Sequence, residues 1–217
     1  MMREPTSIIP VSELWYSRDE DAWNDALARY WTLVQPGNLE LERAMERLDR
    51  GRLLRLSPDG WFDFLHDEYF RWKYTAPNRY ATTTAVLHRK SSASDGRAAL
   101  HAVKHRLLTL DPSNVRTAIN IANKIPGLGT AGASGLLALL YPRSIGTVDQ
   151  FVVKALREVP DLPEARELAR MNQERLTARD AHVLVQIMRR QATILAATFK
   201  VPWTPRAIDK VLWTYGR

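Results

Sequence analysis

The sequence predicts an all-α protein, and three observations carry that prediction. Apolar residues recur at three- and four-residue steps along most of the chain. No convincing period-two alternation appears outside a short ambiguous piece near residues 82–86. The breaks between periodic segments are rich in Asp, Asn, Ser, Thr, Pro and Gly, the residues that start and stop helices.

The elements follow in order. Trp23, Leu27, Tyr30, Trp31 and Val34 form one apolar face behind the acidic start Asp19-Glu20-Asp21. Gln35-Pro36-Gly37-Asn38 ends that helix. Residues 39–54 read as a second helix, and Ser57-Pro58-Asp59-Gly60 as a turn. Residues 61–74 are dense in aromatics, with Arg71 and Lys73 interleaved. Helices are expected over 80–89 and 98–110, separated by a polar loop at 91–96. Asp111-Pro112-Ser113-Asn114 marks another start. Residues 115–124 and 130–140 make two apolar helices, followed by 148–158 and a polar 164–175. A long helix over 178–199 carries Ala181, Val185, Met188, Ala192 and Ala196 on its inner stripe. Thr204-Pro205 is a cap with Pro at the first helical position.

Composition narrows the function. The 217 residues are 45% hydrophobic and 25% charged, ordinary usage for a chain that buries a core. A net charge of +7 favours an anionic partner such as nucleic acid. The absence of cysteine excludes disulfides, thiolate zinc sites, a cysteine nucleophile and cysteine-ligated clusters. No apolar run approaches the roughly 20 residues that cross a bilayer. Met1-Met2-Arg3-Glu4-Pro5 has no apolar core of the secretory type. A soluble, cytoplasmic protein is expected.

The chemistry concentrates between residues 124 and 150. Gly127 and Gly129 sit where a tight inter-helix turn needs positive φ or a missing Cβ, and Pro126 stiffens the approach. The amides of Gly129, Thr130, Ala131 and Gly132 then open the second helix, where free donors and partial positive charge suit a phosphate. Such a contact reads backbone and carries no base information. Asp149 follows Gly129 by 20 residues. It can act chemically or cap the helix beginning at Gln150, and the two roles are compatible.

Ile125-Pro126-Gly127-Leu128-Gly129, then Ala133, an apolar helix over 135–140 and Val148-Asp149 resemble the helix-hairpin-helix DNA glycosylase superfamily, which includes endonuclease III and the mismatch-adenine glycosylases. The resemblance covers about 40 residues closely. It implies a two-lobed all-α fold, with residues 75–155 forming the hairpin lobe and 1–74 plus 156–217 the other. It implies Asp149 as the catalytic acid, and Gly127, Leu128, Gly129, Thr130, Ala131 and Gly132 on the backbone of double-stranded DNA. Bifunctional members carry a lysine where this chain has Ala131. The resemblance therefore implies a monofunctional glycosylase that removes a base and leaves an abasic site. Lys124 and Lys73 are other sources of an amine, and nothing in the sequence places either near Asp149. No iron–sulfur cluster and no required cofactor are expected; a monovalent cation on hairpin carbonyls is implied, as is a monomer.

A glycosylase must extrude its nucleotide and hold it by stacking and edge hydrogen bonds. Lys73, Tyr74 and Asn78 are candidates for that pocket, against the plainer reading of aromatic core packing. Arg206 or Lys210 could touch phosphate, although the C-terminal segment reads as packing. His101 and His105 share a helix face at a metal-compatible spacing, and a solvated face is the better reading. A DNA-binding module without catalysis, or a helical interaction protein with a glycine corner, remains open.

Overall fold

The computed structural model describes residues 9–217; residues 1–5, read above for a leader, lie outside them. The described residues form helices and no strands. None of the helices is long and apolar enough to cross a membrane.

A short α1 (Val11–Leu14) leads into α2 (Glu20–Leu33), capped by Asp19, whose carboxylate accepts from the amides of Asp21 and Ala22. Residues 36–38 form one 3-10 turn. The single helix expected over 39–54 is instead two, α3 (Leu39–Glu46) and α4 (Arg50–Arg55). The cause is Asp49, whose side chain takes the amides of Gly51 and Arg52 and starts a new helix. The turn expected at residues 57–60 is also a helix start. Ser57 caps α5 (Pro58–Asp63), with Pro58 at its first position.

α5 continues without a break through a π-helical turn, Phe64–Tyr69, into α6 (Phe70–Lys73). Single π turns inside α-helices mark local register changes and frequently accompany function. α7 (Pro77–Ser91) and α8 (Gly96–Thr109) follow, then α9 (Val115–Ala122), capped by Asn114. α10 (Thr130–Leu140) and α11 (Gln150–Arg157) flank the segment that carries Asp149. α12 (Ala165–Arg170) is shorter than its expected 164–175. α13 (Ala178–Phe199) opens on a capping box between Thr177 and Asp180, and α14 (Pro205–Gly216) is capped by Thr204.

One contiguous hydrophobic cluster runs from α1 to α14. α10 lies at its centre, buried at every residue over 132–140, which explains its composition of Ala, Gly, Ser and Leu without a polar face. α9, α13 and α14 pack around it. α14 also packs on α11 and α2, while α5 rests on α8. The hairpin and the acid are thereby held against the middle of the molecule.

Candidate functional site

The α9–α10 hairpin turns at Gly127, which adopts φ +90°. A Cβ at that position would stand 2.6 Å from the Thr83 carbonyl oxygen and 3.1 Å from the Phe70 ring. The turn is therefore seated directly on α6 and α7. Two tyrosines bolt it there: the Tyr74 hydroxyl donates to the Gly127 carbonyl at 3.3 Å, and the Tyr69 hydroxyl donates to the Gly132 carbonyl. Gly129 is extended, exposed and surrounded by open space. No side chain caps the first-turn amides of α10. Those of Thr130, Ala131 and Gly132 begin an eleven-residue helix whose N-terminal charge is unneutralised.

Ser134 links this helix to the acid. Its Oγ accepts from the Val148 amide at 2.9 Å and lies 3.2 Å from the Val148 carbonyl oxygen. Asp149 follows immediately and divides its two oxygens. Oδ1 accepts from the amides of Phe151 and Val152 at 3.0 and 3.2 Å, capping α11. Oδ2 faces Lys73, with Nζ at 3.9 Å. The two side chains are 14% and 17% exposed, enough for contact with a ligand and too little for full hydration.

Lys73 and Asp149 share the wall of a cavity of about 300 Å3 between α2, α6, α11 and α14, with Tyr30, Asn38, Trp72 and Trp213. The volume is at the small end of ligand sites, and the four aromatic walls, Tyr30, Trp72, Phe151 and Trp213, suit a planar ring. A recess of about 60 Å3 shares Lys73 and Asp149 and reaches Thr147, Arg206 and Asp209. Burial holds the Lys73 ammonium below its ordinary 10.5, while Asp149 pulls it back up. A wider depression of about 500 Å3 lies by Asp111 and Trp203. Its Arg189 is committed to the carbonyls of Pro112, Ser113 and Ser144, and Arg143 lines the rim.

Behind the cavity stands a buried charge network absent from the sequence reading. Glu42 accepts from the Tyr30 hydroxyl and from Trp72 Nε1, both at 2.6 Å, and so orients two aromatic walls. Arg206 donates to Asp209 at 2.8 Å, Glu46 at 2.7 Å and Glu42 at 3.3 Å. Lys210 donates to Glu46 at 2.6 Å, and the Thr147 amide to Asp209 at 2.6 Å. Arg206 and Lys210 are buried, so neither reaches a phosphate on the surface; their charges are taken up by these carboxylates. In the sequence Glu42 looks like one more solvated acid on an amphipathic helix, and only the packing of α3 on α6 reveals it.

Of the pocket candidates, Lys73 lines the cavity, whereas Tyr74 and Asn78 do not. Tyr74 is spent on the hairpin, and Asn78 is exposed on the first turn of α7. Lys124 is exposed in the hairpin loop. A signal for Lys73 was available: it stands four residues after the fully buried Tyr69, on the same helix face. His101 and His105 pack edge to face with ring centroids 4.7 Å apart. No group of three or more metal-ligating side chains gathers among the described residues. Comparisons with known protein families, curated proteins and solved structures find no match to this chain.

Proposed function

We propose that the chain is a DNA N-glycosylase on a two-lobed helix-hairpin-helix fold, acting as a monomer on double-stranded DNA. It hydrolyses the bond between a damaged or modified base and its deoxyribose, leaving an abasic site. The observation that carries this reading is the division of Asp149, with Oδ1 fixed by the amides of α11 and Oδ2 turned toward the cavity. Glycosidic cleavage passes through a sugar with oxocarbenium character, and a carboxylate held beside it stabilises that charge or activates water. The uncapped amides of α10 supply a backbone grip on phosphate, and the aromatic walls a stacking site for an extruded base. Ala131 leaves no amine at the hairpin position where bifunctional glycosylases carry their lysine.

The competing reading is a non-catalytic DNA-binding module, favoured by the capping bonds of Asp149. Asp149→Asn separates the two, because asparagine caps a helix as well as aspartate does but has no charge. Duplexes carrying uracil, alkylated, oxidised and hypermodified bases should include one from which the wild type releases base. Asp149→Asn should slow that release by roughly 10²–10⁴-fold with an unchanged melting temperature. Salt-dependent DNA binding without any abasic product, or an Asn variant of full activity, would sink the glycosylase reading.

A further inference from the structure

We infer that Lys73 is the amine nucleophile of a second activity in the same cleft, attacking the aldehyde of an abasic deoxyribose and cleaving the strand on its 3′ side. The supply of abasic sugar rests on the glycosylase reading; the geometry and the test do not.

Three lysines among the described residues are withdrawn from solvent, and two of them are fully occupied. Lys104 donates to the carbonyls of Leu54 and Leu56 at 3.0 and 2.5 Å. Lys210 is bonded to Glu46 at 2.6 Å. Lys73 Nζ makes no hydrogen bond to any described residue; its partner Asp149 Oδ2 stands off at 3.9 Å. Its stem lies along α10, where a Cβ on Gly135 would come within 3.3 Å of Lys73 Cδ and 2.9 Å of the Tyr69 hydroxyl. The stem is thus held close to the α10 backbone at Gly135, and the amine lines the cavity beside Asp149 without a hydrogen bond there. A lysine with an ordinary pKa is neutral in roughly one molecule of several thousand at pH 7. Burial raises that fraction, which is how a lysine becomes a nucleophile toward carbonyl carbon.

The step balances with water as the only co-reactant. Neutral Nζ adds to C1′ of the open-chain sugar, forming a C–N bond. The aldehyde oxygen leaves as water, taking one proton from the amine and one from solvent, and an iminium remains. Loss of a C2′ proton to a base, for which Asp149 Oδ2 is the carboxylate nearest Nζ, expels the 3′ phosphate by breaking the C3′–O bond. Hydrolysis of the unsaturated imine returns the lysine.

The probe is a duplex with one aldehydic abasic site, alongside a duplex with a tetrahydrofuran site that has no aldehyde. With borohydride the full-length wild type should form a covalent adduct on the first duplex only, with mass spectrometry locating the link at Lys73. Without borohydride it should nick the strand. Lys73→Gln and Lys73→Arg should lose adduct and nick, the arginine variant keeping the cation and the melting temperature. No adduct with the wild type, or an adduct mapped to another residue, overturns the inference whatever the variants do. Base release without trapping defeats only this inference. Trapping without base release from any duplex defeats only the glycosylase reading.

Discussion

A methyl group added at Gly127 would press on the Thr83 carbonyl oxygen and face a backbone held at φ +90°. Left-handed backbone costs a non-glycine residue about 1–2 kcal/mol before any clash. Gly127→Ala should therefore lose at least about 2 kcal/mol in urea unfolding. Two residues on, Gly129 has negative φ and nothing within 4 Å of its added Cβ. Gly129→Ala should leave stability within about 0.5 kcal/mol. On the proposed reading it should still weaken duplex binding, because the methyl group would stand in front of the uncapped amides. Both glycines read alike in the sequence, since neither the seat on α7 nor the open space beyond Gly129 is encoded nearby. Asp149 was legible because its cap and its spacing are local. The meeting of Lys73 with Asp149 was not, because it depends on how α6 lies across α10.

At the level of elements, Ser134 is the strut between the hairpin helix and the acid. Ser134→Ala would leave the buried Val148 amide without an acceptor, at a cost of about 1–3 kcal/mol. Urea unfolding should show that loss. The base-release rate should fall as well, since Asp149 is the next residue; a stability loss with an unchanged rate would mean that α11 alone positions the carboxylate. α13 reads correctly because it has a capping box and one apolar stripe, and α10 because a glycine turn delimits a wholly apolar run. α10 and α13 begin and end at the expected residues. Residues 39–54 misled because apolar periodicity runs across the break at Asp49, where one side chain outbids helix propensity. Ser57-Pro58 misled because a cap followed by proline looks identical in a turn and at a helix start.

Across the whole molecule, the buried charges join α3, α14 and the strand of chain before Asp149. Burial pushes the Asp209 carboxyl up to about 6, with Arg206 pulling it down too weakly to cancel. The unfolded chain titrates near the ordinary 3.8. Between those values the folded protein holds a proton that the unfolded chain has released. This group's contribution to stability is complete below 3.8 and is lost as pH rises through about 6. Glu46 runs the other way. Burial raises it, Arg206 and Lys210 outweigh that, and its contribution, present above its ordinary 4.5, is lost as pH falls. Asp209→Asn removes the first effect. Its stability relative to wild type should improve by on the order of 3 kcal/mol between pH 4 and pH 7, read from urea midpoints. An unchanged difference would mean that Asp209 titrates normally.

The π turn at Phe64–Tyr69 has a different kind of consequence. Such a turn accommodates one more residue than the α-helix around it, and each residue of an α-helix rotates the chain by about 100°. Upstream, α5 is clamped to α8; downstream, α6 presents Lys73. Excise the additional residue and every side chain keeps its chemistry, while Lys73 swings away from Asp149. The direction of the amine is thus a matter of phase, a property of the backbone count and of no single letter in the chain.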